Sequence, residues 1–409
     1  MNAEPPRNLE PVSPENLLNP IPLYKALREN EPVYWSDAVH AWFITRHDDV
    51  MNSFRDPRLS VDRTKFIEQQ LQSLGMDIVQ DFMRFARLQM TVKDGPEHIR
   101  LRRQTTTGFT PQALDAWRPA IRRTMEMLMD RVRAQGRMDL VQAISYQLPP
   151  LVIAEIFGVS PEHRERFQEW SHELVLINNP SPGADMRELA RRSNKAMAEF
   201  GQFVSELVQQ RRKAPGQDAL SQMLQAQQGG GMSEEEVVAN ALVILMAGHL
   251  TTTDQLSNAM HDLLMNPDQL QKLRENPSLM RSAIEEIMRF SPAVPFIFRV
   301  AKETFQLRGK TIRQGDILFL GAASANRDPE AYPDPDRFDI TRDTIHQKHL
   351  SFGFGAHQCL GAGLARRELE IGIEVLLSRL PNLRLDEEQA PKLKLGLLFR
   401  GFDSLHVRW

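Results

Sequence analysis

Cysteine is almost missing: the 409 residues hold one, Cys359. A lone cysteine excludes an intramolecular disulfide and a multi-cysteine zinc site, and by itself it reads as a small buried apolar residue. An excess of charge of one sign is missing too. The formal net charge is -3, and no strong basic field is available for binding nucleic acid. The first twenty residues are broken by prolines and contain no apolar run, so they are expected to be an irregular segment without a signal peptide or membrane anchor. A cytoplasmic protein with no membrane or nucleic-acid partner is the expectation. Repeats are absent, and low complexity is confined to Gln228–Gly231 (QGGG).

What is present is mainly helical periodicity. Apolar spacing predicts helices over Ala113–Val132, Met186–Arg212, Ser233–Met265, Ser278–Phe290 and Gly361–Arg379. Strand patterns are few and short: Val33–Trp35, Trp42–Ile44, Ile317–Gly321 and Leu405–Val407. Loops fall at Asn178–Gly183, Gln228–Gly231 and Asn326–Phe338. Ser233 with Glu236 forms a capping box, so the QGGG tract precedes a long helix and need not be a domain linker. The expected fold is mainly α with a minor β-sheet region, in one domain over residues 1–409.

The surroundings of Cys359 argue against an inert core residue. Within SFGFGAHQCLGAGLARREL, Gly353, Gly355, Gly361 and Gly363 lie no more than six residues from the sulfur. Glycine lets backbone approach a flat ligand, and the helix predicted to follow places the sulfur at a helix N-terminus, where a thiolate is favoured. This segment resembles the haem-binding loop of the cytochrome P-450 family, Phe-Gly-x-Gly-x-(Arg or His)-x-Cys-x-Gly. Phe352, Gly353, Gly355, His357, Cys359 and Gly361 fill every position.

The resemblance implies the cytochrome P-450 fold and a b-type haem (iron protoporphyrin IX) with Cys359 as axial ligand to iron. It places Phe352 near the sulfur, Gly361 in the haem loop and His357 at a propionate. A thiolate ligand favours O–O cleavage over reversible oxygen carriage. Glu286 and Arg289 match the family's Glu-x-x-Arg pair, and Arg337 matches the arginine that joins it. Read alone, this i, i+3 pair would be a solvated surface bridge. Arg299, His98 and Arg102 become partners of the propionates, since two carboxylates need cationic donors.

Leu245 to Asp254 resembles the oxygen-binding helix, with Ala247, Gly248, Thr251 and Thr252 matching. The usual acid is replaced by Leu250, which cannot relay a proton. His249 should point elsewhere on the helix. Asp254, one turn beyond Leu250 and Thr251, is the candidate substitute, against the simpler reading of a salt-bridged helix residue.

By the same resemblance the substrate pocket takes a lid from Asp62–Met90 and the flanks of Asn178–Gly183, and a floor from Val243, Ala247, Val294, Phe296, Leu397 and Leu398. The expected substrate is a small, mainly apolar organic molecule, free or held on a carrier protein. Arg63, Arg84, Arg87 and His172 are candidates to hold a carboxylate or phosphopantetheine. No flavin or iron–sulfur domain is expected, so electrons from NAD(P)H would arrive through ferredoxin and ferredoxin reductase. Arg102, Arg103, Arg122, Arg123, Arg366 and Arg367 are the candidate docking patch. The implied function is O2-dependent oxidation of a secondary metabolite by a monomer. Alternatives are a peroxide-using or coupling haem-thiolate enzyme, or a haem sensor or carrier without turnover.

Overall fold

The structure, a computed structural model, describes residues 8–65, 68, 75, 78–176, 184–226, 231–343 and 348–409. The predicted loop Asn178–Gly183 and most of the QGGG tract lie outside the described residues, as does part of the predicted lid.

The long helix Glu234–Met265 runs through the core. Ser233 caps it: its hydroxyl accepts from the Glu236 amide while the Glu236 carboxylate accepts from the Ser233 amide at 2.7 Å. Hydropathy and length would let this helix cross a membrane, but 72% of its apolar window is buried inside the protein, as in a core helix. Around it pack Leu148–Ile156, Arg164–Leu176, Met186–Lys213, Met280–Phe290 and Ala362–Arg379. Glycines set two close approaches of Ala362–Arg379, to Pro111–Val132 and to the long helix. A Cβ on Gly363 would come within 2.4 Å of Leu114, and one on Gly372 within 3.2 Å of Leu256. Arg118 binds Glu370 bidentately at 2.8 and 2.9 Å, joining Pro111–Val132 to Ala362–Arg379.

The main sheet has five strands in the order Val33–Ser36, Ala41–Ile44, Ile317–Gly321, Phe296–Ala301, Leu59–Ser60. Only the pairing of Ala41–Ile44 with Ile317–Gly321 is parallel. Smaller sheets join Arg137–Asp139, His406–Arg408 and Arg384–Leu385, and pair Lys392–Leu393 with Phe402–Ser404. The fold class is the expected one. Two local expectations are corrected. Within the first twenty residues, Pro14–Leu18 is helical, capped by Ser13 and braced by Asn16 Nδ2 on the carbonyls of Asn8 and Glu10. The helix expected from Ser278 begins at Met280, after a 3-10 turn at Pro277–Leu279.

Candidate functional site

The cysteine loop needs its glycines. Gly353 and Gly355 have φ of +65° and +78°, conformations costly for other residues. They fold the chain so that the Cys359 amide donates to the Phe352 carbonyl at 2.9 Å. Gly361 caps the helix Ala362–Arg379, and a Cβ there would lie 4.0 Å from the Cys359 sulfur. The sulfur is reachable by solvent yet deep enough that burial pushes the thiol pKa up, against the Gly361 and Ala362 amides and the charges of Arg102 and Arg366. The helix-end amides favour the thiolate as expected, but without a bound cation desolvation outweighs them. A metal cation at the sulfur would supply the missing stabilisation.

Beside the loop lies a knot of hydrogen-bond donors from three segments, two of them the cations Arg102 and Arg299. His98 and His357 face each other with ring centroids 3.8 Å apart, and the buried Nε2 of His98 has no hydrogen-bond partner. Burial, then Arg102, lowers the His98 pKa. Burial, then His98 and Arg299, pushes His357 down to about 4. Burial, then Arg63, pushes Arg299 down to about 10. Asp94 opposes these shifts, but its carboxylate already accepts from the Ser60 hydroxyl and the Val61 amide. Such donors call for further anions. Two carboxylates on a flat ligand seated on the sulfur fit them, so the donor set suits haem, with Cys359 toward the iron and His98, Arg102, Arg299 and His357 toward the propionates.

On the long helix, Ala247 is exposed and Thr251 half-buried, whereas Leu250 and Thr252 are buried. The Thr251 hydroxyl donates to the Ala247 carbonyl at 2.7 Å, one turn back. A Cβ on Gly248 would meet Ile153 at 2.8 Å, so glycine here admits the helix Leu148–Ile156. His249 is turned away into the protein. Its Nε2 donates to the Tyr146 carbonyl at 3.1 Å, its Nδ1 accepts from Ser171 Oγ at 2.7 Å, and burial pushes its pKa down to about 3.

Asp254 is not a free relay. Its carboxylate is buried and paired with the ammonium of Lys394, and burial pushes its pKa up to about 6 despite that partner. The salt-bridged reading is the correct one.

Glu286 and Arg289 form a fully buried bidentate pair at 2.7 and 2.8 Å. Arg289 also donates to the carbonyls of Asn326, Pro335 and Arg337. Arg337 enters this network only through that carbonyl, since its side chain is 63% exposed. Arg342 takes the role expected of Arg337, with Nε 3.3 Å from Glu286. Sequence reasoning missed Arg342, as it missed Glu285, which binds Arg366 at 2.5 and 2.9 Å and His349 at 3.2 Å. Arg366 in turn stacks on Phe352 at 4.6 Å. Adjacent acids and a double arginine beside the two motifs were the available clues.

Among the predicted pocket residues, Val243 is buried and Val294 half-buried. Phe296 is corrected: it packs edge-on to Tyr24 and Phe43 at 5.7 and 5.2 Å inside the sheet cluster, which Leu397 also touches. Leu398 is 38% exposed. Three carboxylate-binding candidates are engaged, Arg84 with Glu235, Arg87 with Glu68 and His172 with Tyr146. Arg63 lies over the ring of Phe298. The docking patch is largely neutralised as well. Arg122 pairs with Glu374, Arg123 with Glu155, Arg366 with Glu285 and Arg367 with Asp115, and Arg103 is exposed.

The sequence profile of the cytochrome P450 family matches residues 65–400. The biotin biosynthesis cytochrome P450 of Bacillus subtilis is 36% identical over 400 residues, covering 97% of this chain and 98% of its own. The 6-deoxyerythronolide B hydroxylase of Saccharopolyspora erythraea is 34% identical over 393 residues, covering 94% of this chain and 95% of its own. The crystal structure of P450BioI in complex with an acyl carrier protein carrying hexadec-9Z-enoic acid superposes with a TM-score of 0.86 at 34% identity, over 97% of this chain and 100% of that one. Likeness on this scale, in sequence and in backbone together, shows that the chain belongs to the cytochrome P450 family of haem-dependent monooxygenases.

Proposed function

We propose that this chain oxidises a small, mainly apolar metabolite in bacterial secondary metabolism, in the cytoplasm, at a haem whose iron Cys359 would hold through its thiolate. The observation that carries the reading is the pairing of one deep cysteine, under two aimed amides, with an adjacent knot of neutral imidazoles and arginine cations. A thiolate-ligated haem supplies reductive activation of dioxygen and O–O cleavage. Cys359 then holds the negative charge that its surroundings alone do not stabilise. His98, Arg102, Arg299 and His357 orient the ligand through its carboxylates, and Arg366, stacked on Phe352, adds positive charge near the sulfur. Thr251 holds its proton on the Ala247 carbonyl and keeps its oxygen lone pairs for incoming donors. With Leu250 apolar, His249 turned inward and Asp254 paired, protons must arrive by water along the Ala247–Thr251 face.

Substrate class is read from relatives: P450BioI is seen with a carrier-borne hexadecenoic acid, and a Bacillus subtilis relative 34% identical to this chain is a polyketide biosynthesis P450. An acyl or polyketide-like substrate, free or carrier-borne, suits the apolar residues assigned to the pocket. Electrons are assigned to a separate ferredoxin and its NAD(P)H-dependent reductase. Substrate-dependent NAD(P)H consumption with surrogate partners, matched by oxygenated product, tests this reading, and ligand binding without turnover would leave a sensor or carrier. Leu250 favours one competing reading, a peroxide-using enzyme. Product formed from peroxide alone, at rates above the NAD(P)H-driven reaction, would select it.

A further inference from the structure

The long helix grips two other segments just beyond Thr251. Gln255 Nε2 donates to the Ser291 carbonyl at 3.1 Å while its Oε1 accepts from the Ala293 amide at 2.9 Å. Asn258 Nδ2 reaches the carbonyls of Ser291 and Arg400 at 3.2 and 3.0 Å. The Arg400 amide donates to the Ala293 carbonyl at 2.9 Å, tying the two segments to each other. One is the approach to Val294. The other is the hairpin built on Lys392–Leu393 and Phe402–Ser404, whose tip carries Leu397 and Leu398.

These amide contacts already anchor the hairpin by its backbone. The Lys394–Asp254 pair is additional, and both its side chains are at most 7% exposed. It stands where the hairpin arms still pair, with the Lys394 amide on the Gly401 carbonyl at 3.1 Å. Gly401 leaves room for it, since a Cβ there would lie 2.4 Å from the Asp254 carboxylate. Two charges taken out of water gain little over an apolar pair of equal volume, so stability alone is a poor reason to keep them. What such a pair does provide is one permitted arrangement. A hairpin shifted by one residue would leave an ammonium and a carboxylate buried apart.

We propose that Lys394 and Asp254 are positioning residues for the oxidation reaction: their ion pair fixes the register of the hairpin tip Leu395–Arg400 against the oxygen-binding helix and so sets how long a substrate the pocket accepts. This rests on the proposed function and on the expectation that the hairpin tip lines the pocket through Leu398, while Leu397 packs on the sheet cluster.

The test uses the haem-loaded full chain and 1-alkylimidazoles of increasing tail length, whose nitrogen reports on the iron by a Soret shift while the tail probes the pocket wall. Lys394→Met, Asp254→Asn and the double variant are compared with the parent. Each single variant is expected to lose thermal stability, because it strands a buried charge, and the double variant should regain much of it. Unsubstituted imidazole should bind all four proteins alike. For octyl and dodecyl tails the double variant should differ from the parent by about tenfold in Kd, having recovered its melting temperature but not its selectivity. A double variant with parental affinity for every tail length would make the pair merely structural and overturn the proposal. Failure of imidazole to shift the parent's Soret band would instead remove the haem assignment, and the proposal with it.

Discussion

His98 and His357 stand ring against ring, 3.8 Å between centroids, although 259 positions separate them and they belong to a helix and to the cysteine loop. Neither ring gains a proton readily there, because burial and the neighbouring arginines oppose it. The pair is therefore a neutral donor surface flanked by two permanent cations, Arg102 and Arg299, a disposition suited to two propionates.

Removing one of those cations should weaken haem binding. For Arg299→Ala we expect apoprotein titrated with haem to bind about ten- to a hundredfold more weakly, the loss of one charge-assisted hydrogen bond. Unchanged affinity would take Arg299 out of the site.

Cys359→Ala should abolish the strongly red-shifted Soret band that the reduced, carbon-monoxide-bound parent displays. A parent with a globin-like band would refute thiolate ligation outright.

Leu250→Glu places an acid where none now stands. If proton supply limits turnover, the fraction of NAD(P)H electrons recovered in product should rise severalfold, read as product formed per cofactor oxidised. No change would locate the slow step elsewhere.

Glu285 predicts an acid-sensitive brace. Burial alone would raise its pKa, but hydrogen bonds from Arg366 and His349 outweigh that and hold it at about 2. A depressed folded pKa stabilises fully above the ordinary carboxyl value and is lost as pH falls from about 4.5 towards 2. Unfolding free energies from urea titrations of the parent and Glu285→Gln should differ at neutral pH, by on the order of 3 kcal/mol, and converge in acid.

Arg289→Met takes from Glu286, at 0% side-chain exposure, its bidentate partner and leaves it Arg342 and the Asp339 amide. A loss of about 3–5 kcal/mol in chemical denaturation is expected, with haem content falling in parallel.

Which parts of this could be read from residues alone follows from how local each interaction is. The cysteine loop was legible because its constraints sit on adjacent residues: positive φ at Gly353 and Gly355, a helix start after Gly361. Glu286 and Arg289 were legible because one helix turn joins them. Arg337 was misjudged, and Asp254 was left between two readings, because their partners are distant in sequence. Nothing in the helix announces that Lys394, 140 residues on, will meet Asp254, and spacing cannot distinguish an arginine that contributes its guanidinium from one that contributes its carbonyl. Phe296 failed for a related reason. A strand has two faces, and which of them meets Tyr24 and Phe43 depends on pairing with Ile317–Gly321.

The apolar helix Glu234–Met265 also bears on how the protein is made. The helices Leu148–Ile156, Arg164–Leu176 and Met186–Lys213 that cover part of it are synthesised earlier, but Ala362–Arg379, which packs on it as well, leaves the ribosome about a hundred residues later. During that interval a stretch apolar enough for a lipid bilayer lacks one of its covering helices. Overproduction should therefore tax the cell's chaperones, and chains truncated before Ala362 should accumulate as aggregates.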